Sequence, residues 1–260
     1  MESNILERTH PIDDILCTDR LPSVWCPGCS IGTVVYSFAE ALREAQIDHE
    51  SITLITGAGC TACVGDYVNL RSQRSKDRYL LDSAADTKLV DPASRVVVFM
   101  NNVDLLMSGA RDLARVTRRC VPMLVIYINN ILYMLTKDGA VINCPYTRPS
   151  WDGKFELPFN VPGLAIEYGA RYVARWTQLH AGWLKYSIFE AFSRTGLSLV
   201  EIVVPCLVYK TDTGLIGEVS ERVRIYDTRT DLHTVDKMHE LDVRNPKHIV
   251  IGKLFDGNDT

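Results

Sequence analysis

Arg95-Val96-Val97-Val98-Phe99-Met100, then a helical stretch over residues 105–118, then Met123-Leu124-Val125-Ile126-Tyr127-Ile128: this succession decides the fold. Each apolar run is short and rich in β-branched residues, the mark of a strand buried on both faces. Two such strands joined through a helix lie parallel, with a right-handed crossover. The alternation recurs outward from this unit. Ser51-Ile52-Thr53-Leu54-Ile55-Thr56 reads as an earlier buried strand, and Ile31, Val34, Val35, Phe38 and Leu42 recur at helix spacing before it, with Ser30 as N-cap. Downstream, Arg171-Tyr172-Val173-Ala174 reads as a strand, residues 178–193 as a helix, and the run from Leu197 to Val204 as a further strand ending at Pro205-Cys206. The predicted fold class is α/β, a doubly wound, mainly parallel sheet with helices on both faces.

Residues 136–164 break this pattern with Lys, Asp, Gly and Pro, which predicts a functional loop or docking segment. From Lys210 onward the chain turns polar, with short apolar character only at Val223-Arg224-Ile225-Tyr226 and Ile249-Val250-Ile251. Residues 1–209 are therefore expected to form the α/β domain, and 210–260 an irregular C-terminal extension packed on the core or on a partner subunit. A chain of 260 residues, 47% hydrophobic, is long enough to bury one large core. A net charge of -4 and no dense Lys/Arg block argue against nucleic acid as a partner. The acidic N-terminus and the lack of a long apolar run predict no membrane insertion and a cytoplasmic protein. Eight cysteines in that compartment point to metal or redox chemistry rather than structural disulfides.

Trp25-Cys26-Pro27-Gly28-Cys29-Ser30-Ile31-Gly32-Thr33 sets two thiols in a proline-glycine turn. A Cys-x-x-Cys pair serves redox disulfides, zinc knuckles and iron–sulfur clusters alike, so the cysteines farther on must choose. Ligands of parallel sheets collect at the carboxyl ends of strands. Gly59-Cys60, Asn101 to Asp104, Asn129 to Tyr133 and Cys206 all follow predicted strands. A second pair, Cys60-Thr61-Ala62-Cys63, leaves a tetrahedral zinc site as a rival reading, although its distance from the first pair exceeds the usual zinc-ribbon gap.

From about Leu21 to Tyr209 the chain resembles the β subunit of the 2-oxoacid:ferredoxin oxidoreductases. The resemblance is carried by Trp25-Cys26-Pro27-Gly28-Cys29, Gly59-Cys60, Arg118-Arg119, Asn130-Ile131-Leu132-Tyr133 with Thr136, Pro205-Cys206 and, more weakly, Ile251-Gly252-Lys253-Leu254-Phe255. It implies a thiamine diphosphate-binding fold and a [4Fe-4S] cluster on Cys26, Cys29, Cys60 and Cys206, with Cys63 as a conceivable substitute ligand. It also implies thiamine diphosphate contacts from Thr61, Asn101, Asn102, Asp104, Asn130, Leu132, Tyr133 and Thr136. Magnesium would be held by Asn102, Asn130 and the carbonyl of Leu132. Cys17, Cys120 and Cys144 are read as core or incidental thiols.

The chain departs from that family at three places. A Gly-Asp-Gly-Asp segment becomes Asn101-Asn102-Val103-Asp104, replacing an anionic magnesium ligand by a neutral amide. A His-Gly-Arg segment falls at Asp77-Arg78-Tyr79, and Thr-Gly-Gly-Gln becomes Thr136-Lys137-Asp138-Gly139, where Lys137 is a weak candidate for pairing with a substrate carboxylate. Asn101 and Asn102 also read as turn-forming residues, Arg118 and Arg119 as helix C-terminal charges, and Trp176, Trp183 and Tyr186 as helix packing. The resemblance implies a β-type subunit of a multi-subunit enzyme. With α-, γ- and δ-type partners it would oxidatively decarboxylate a 2-oxo acid to an acyl-coenzyme A and pass electrons to ferredoxin or another carrier. The alternative is a divergent, non-catalytic paralogue that keeps the cluster for electron transfer or scaffolding.

Overall fold

The structure, a computed structural model, describes residues 11–75, 79–108, 110–130, 132–135, 141–143, 160–204, 230–232 and 249–257. Among them are the strands β1 (Ile52–Thr56), β2 (Arg71–Arg74), β3 (Arg95–Asn101), β4 (Met123–Asn129), β5 (Leu132–Leu135), β6 (Val141–Asn143), β7 (Tyr172–Thr177), β8 (Leu197–Val203), β9 (Thr230–Leu232) and β10 (Ile249–Asp256). The helices are α1 (Ile31–Glu44), α2 (Leu80–Val90), α3 (Asn102–Ser108), α4 (Ala110–Arg118), α5 (Val161–Glu167) and α6 (Ala181–Ala191). Eight strands form one sheet in the order β2-β1-β3-β4-β8-β7-β10-β9, while β5 and β6 make a separate antiparallel pair. Every neighbouring pair from β2 to β7 is parallel; β10 runs antiparallel to β7.

Strand alternation divides the core in two. Leu54, Val97, Phe99, Ile126 and Ile202 face α1 and α6, whereas Val98, Val125, Tyr127, Val173 and Leu199 face α2, α4 and α5. With helices on both faces the middle strands have no solvent side, which is why β3, β4 and β8 read as nearly unbroken apolar runs. Asp112 of α4 docks α2 by accepting from the amides of Leu81 and Asp82 at 2.9 and 3.2 Å, taking up two amides that the first turn of a helix leaves open.

Several expectations need correction. The helix predicted over 105–118 starts earlier, at Asn102, directly on the end of β3; its described parts are α3 and α4, and residue 109 lies outside the described residues. Ser30 makes no side-chain cap, its hydroxyl being committed to Gln178 instead. Part of the segment predicted to be irregular is α5, whose start is capped by Asn160 Oδ1 accepting from Gly163 N at 3.0 Å. The helix predicted over 178–193 opens with a 3-10 turn before α6. Trp176 is a buried β7 residue, while Trp183 and Tyr186 on α6 are more than half exposed rather than packed inside. Elements that escaped prediction include β2, whose four residues are all exposed, α2, whose buried face is half alanine, and the short strands β5, β6 and β9. The apolar run at Ile249–Ile251 and the closing stretch to Phe255 lie in β10. Among the described residues no helix is long and apolar enough to cross a membrane.

Candidate functional site at the carboxyl edge of the sheet

After β1 the chain leaves toward β2 at one edge of the sheet, and after β3 it leaves toward β4 on the other side. The carboxyl ends of β1 and β3 therefore flank the topological switch point, where ligands of such sheets bind. Asp104 occupies that crevice. Its Oδ1 accepts from Ala58 N at 2.6 Å and its Oδ2 from Asn101 N at 2.9 Å, so one carboxylate bridges both strand ends. A Cβ at Gly57 would overlap this carboxylate, which explains the glycine there. Burial pushes the Asp104 carboxyl up to about 6, against the two amide hydrogen bonds that favour its charged form.

The neighbouring groups are equally committed. Asn101 Nδ2 donates to Ala58 O and to Thr61 Oγ1 at 2.7 and 2.9 Å, and its Oδ1 takes the amide of Val103 at 2.8 Å. Thr61 is fully buried, with its own hydroxyl donating to Ala58 O. Asn102, only 1% exposed, begins a buried polar chain. Its Oδ1 accepts from the Tyr127 hydroxyl at 3.3 Å and its Nδ2 donates to Asn129 Oδ1 at 3.2 Å. Asn129 Nδ2 donates to Glu201 Oε1 at 2.7 Å, and Glu201 Oε2 accepts from Arg175 Nε at 2.5 Å. Arg175 and Glu201 are register partners on β7 and β8, both wholly buried, and Arg175 Nη2 has no hydrogen-bond partner.

Among the described residues the crevice keeps its own polar groups engaged. The amides of Ala58, Asn101 and Val103 are held by the protein's own side chains, and the Asn102 carbonyl predicted as a cation ligand points into the chain toward Tyr127. Asn130 lies half-buried just past β4; Leu132 and Tyr133 lie in β5; Thr136, Lys137, Asp77 and Arg78 lie outside the described residues. Tyr79 stands at the start of α2 with the Arg115 guanidinium over its ring, 5.5 Å from the centroid.

The cysteine turn crosses the same edge of the sheet. Cys29 N donates to Cys26 O at 2.8 Å, and Gly28 sits at φ 81°, a conformation glycine adopts without strain. On one side, Trp25 Nε1 donates at 2.9 Å to the carbonyl of Cys60, just past β1, and its ring packs on Tyr67 at 4.8 Å. On the other, Ser30 Oγ donates to Gln178, the residue after β7. In the sheet β8 lies between β1 and β7, and Cys206 follows β8. Cys26 and Cys60 are exposed and Cys29 half-buried. Cys206 lies outside the described residues, and among those described no three His, Cys, Asp or Glu side chains approach closely enough to hold a metal ion.

Arg175, Glu201 and Tyr127 were missed as site residues. The available signal was an acid inside the apolar run Leu197–Val203 and a base inside the run Tyr172–Thr177, since buried opposite charges on adjacent strands require one another.

Comparison with known proteins agrees with this architecture. Residues 81–202 match the thiamine pyrophosphate enzyme, C-terminal TPP binding domain family. The 2-oxoglutarate synthase subunit KorB of Archaeoglobus fulgidus is 31% identical over 235 residues, covering 88% of this chain and 86% of that protein. The KorB subunit of Methanothermobacter thermautotrophicus is 34% identical over 208 residues, 78% of this chain and 72% of its own. The fold superposes with a TM-score of 0.76 and 22% identity on the 2-oxoglutarate:ferredoxin oxidoreductase from Magnetococcus marinus, solved with 2-oxoglutarate, coenzyme A and succinyl-CoA bound, covering 97% of this chain and 87% of that one. With such identity over most of both chains, this protein belongs to the family of KorB-type β subunits of the 2-oxoacid:ferredoxin oxidoreductases.

Proposed function

We propose that this chain is the electron-relaying β-type subunit of a multi-subunit 2-oxoacid oxidoreductase, serving the oxidative decarboxylation of a 2-oxo acid to an acyl-coenzyme A. Its relatives named as 2-oxoglutarate synthase subunits support the reaction class. The observation that carries the chain's own part is the cysteine turn pinned across the sheet edge, by Trp25 to Cys60 past β1 and by Ser30 to Gln178 past β7; β3, β4 and β8 lie between those strands, and Cys206 follows β8 in sequence. Cys26, Cys29, Cys60 and Cys206 would hold a [4Fe-4S] cluster, which accepts and releases one electron at a time. α-, γ- or δ-type subunits would bring substrate and coenzyme A, and ferredoxin or another carrier would take the electrons away.

The complex purified without oxygen is expected to hold about four iron atoms per copy of this chain, as one cluster of this type requires. Cys206→Ala should lose most of that iron. Zinc without iron in the wild type would overturn the proposal.

A second reading, a paralogue that keeps the cluster but has left thiamine chemistry, is favoured by one observation: the switch-point crevice already satisfies its own amides and carbonyls. Calorimetric titration of the complete complex with thiamine diphosphate and magnesium decides between the two. Absence of binding supports the paralogue, and saturable binding removes it. Asn102→Asp, which restores an anionic oxygen, should make thiamine diphosphate binding magnesium-dependent and at least about tenfold tighter, roughly the effect of one charge-assisted contact.

A further inference from the structure

The buried hydrogen-bond chain that ends at Asn102 has a direction, and that direction is set on the far side of the sheet. Tyr127, Glu201 and Arg175 are register partners on β4, β8 and β7, so their side chains stand in one row on one face of three adjacent strands. The row begins with a guanidinium, which only donates, and Arg175 Nε donates to Glu201 Oε2 at 2.5 Å. A carboxylate only accepts. Asn129, at the end of β4, therefore has to turn its Nδ2 to Glu201 Oε1 and its Oδ1 the other way. That oxygen calls for Nδ2 of Asn102 opposite it, which leaves Asn102 Oδ1 for the Tyr127 hydroxyl. Tyr127, Asn129, Glu201 and Arg175 are wholly buried and Asn102 is 1% exposed, so an amide turned the wrong way would set like atoms against each other with no bulk water to relieve them.

We propose that Glu201, fixed by Arg175, is a positioning residue of the switch-point crevice: acting through Asn129, it dictates that the side chain at position 102 present a hydrogen-bond donor to the protein. Asparagine meets that demand with Nδ2. A carboxylate at the same position meets Asn129 Oδ1, acceptor against acceptor, and is turned out of the chain toward the crevice, where a cation can take it. The direction of the chain stands on the hydrogen bonds alone; the use of the displaced carboxylate rests on the reading of the crevice as a magnesium–diphosphate site. Glutamine in place of Glu201 reverses the direction. Its carbonyl has to face Arg175 Nε, so its NH2 faces Asn129, and Asn129 turns over to offer Nδ2 to position 102. The reversed chain calls for an acceptor there. A carboxylate at position 102, repelled while Glu201 is present, is then held inside the chain, and the negative charge that balances Arg175 has moved from β8 to the start of α3.

The test compares the full chain as wild type, Asn102→Asp, Glu201→Gln and the double variant in urea unfolding. Each single substitution is expected to lower the folding equilibrium constant, the first by opposing two acceptors and the second by stripping Arg175 of its countercharge. The double variant should be at least about tenfold more stable than the product of the two losses, a coupling between side chains that the chain joins only through Asn129. If a single variant does not fold, a folded double variant makes the same point. Losses that simply multiply, as for residues that only fill the core, or a double variant that does not fold, would overturn the inference. Calorimetric titration of the complete complex with thiamine diphosphate and magnesium is the second readout. The tightening brought by Asn102→Asp should shrink severalfold when Glu201→Gln is added, and an equal response in both backgrounds would refute the positioning role. Absence of binding in all four proteins would remove the thiamine reading alone, and the urea cycle would still decide the direction of the chain.

Discussion

Glu201→Leu is expected to cost the fold about 3–5 kcal/mol, the usual consequence of removing one partner of a buried ion pair. The side chain is wholly buried and holds Arg175 Nε at 2.5 Å and Asn129 Nδ2 at 2.7 Å. Without it the Arg175 guanidinium keeps only a 3.4 Å contact with Val250 O, and its Nη2 has no partner to begin with. A guanidinium cannot escape by losing its proton, so the charge stays buried and uncompensated. The converse variant, Arg175→Met, should also destabilise, because it takes from the buried Glu201 carboxylate its charged partner and leaves it the Asn129 amide. Removing both charges, Arg175→Met with Glu201→Leu, should recover much of the loss, the Asn129 amide's lost bond to Glu201 remaining as a cost of roughly 1–3 kcal/mol. Urea unfolding of the four proteins measures this cycle. If Glu201→Leu is no less stable than the double variant, the pair does not hold the sheet as described.

This pair also shows where sequence reading stops. β1, β3, β4 and β8 were legible nearly to the residue because a strand buried on both faces must be apolar throughout, a signal carried within each segment. The same logic placed Gly59-Cys60, Asn101 to Asp104 and Asn129 at strand ends, hence at one edge of the sheet. What the side chains do there depends on which strands are neighbours. Asn129 meets Glu201 because β4 lies beside β8, and Glu201 meets Arg175 because β8 lies beside β7, an order that no local pattern encodes. Asn102 was read as a cation ligand by the position it shares with an aspartate in the resembling family. The Tyr127 hydroxyl that takes its carbonyl comes from a different strand. Elements whose formation is imposed by a neighbour were illegible for the same reason. β2 is polar and exposed, and it is a strand only because β1 offers it a parallel edge from Thr53↔Arg71 to Thr56↔Arg74.

Asp104→Ala should destabilise the chain by about 2–4 kcal/mol under mildly acidic conditions, because it strips two buried amides, those of Ala58 and Asn101, of their acceptor. The cost should depend on pH in a defined direction. Burial raises the folded-state carboxyl to about 6 from an ordinary value of 3.8. Between those values the folded chain keeps a proton that the unfolded chain has released, so the stability linked to Asp104 is fully present below about pH 4 and is lost as pH rises through 6. A displacement of this size corresponds to on the order of 3 kcal/mol. Other carboxylates, such as Asp256 in its pair with Arg194, act on the same curve, so the quantity to measure is the difference between wild type and variant. Urea unfolding at intervals from pH 4 to 8 should show the wild type's advantage over Asp104→Ala greatest at the acid end, shrinking through pH 6 and constant above it. An advantage that instead grows with pH would mean that the amides of Ala58 and Asn101 outweigh burial, and that the carboxylate stays ionised at the switch point throughout. In that case the crevice would carry a fixed negative charge beside the place where a diphosphate would bind, and binding of that anion would have to overcome like-charge repulsion.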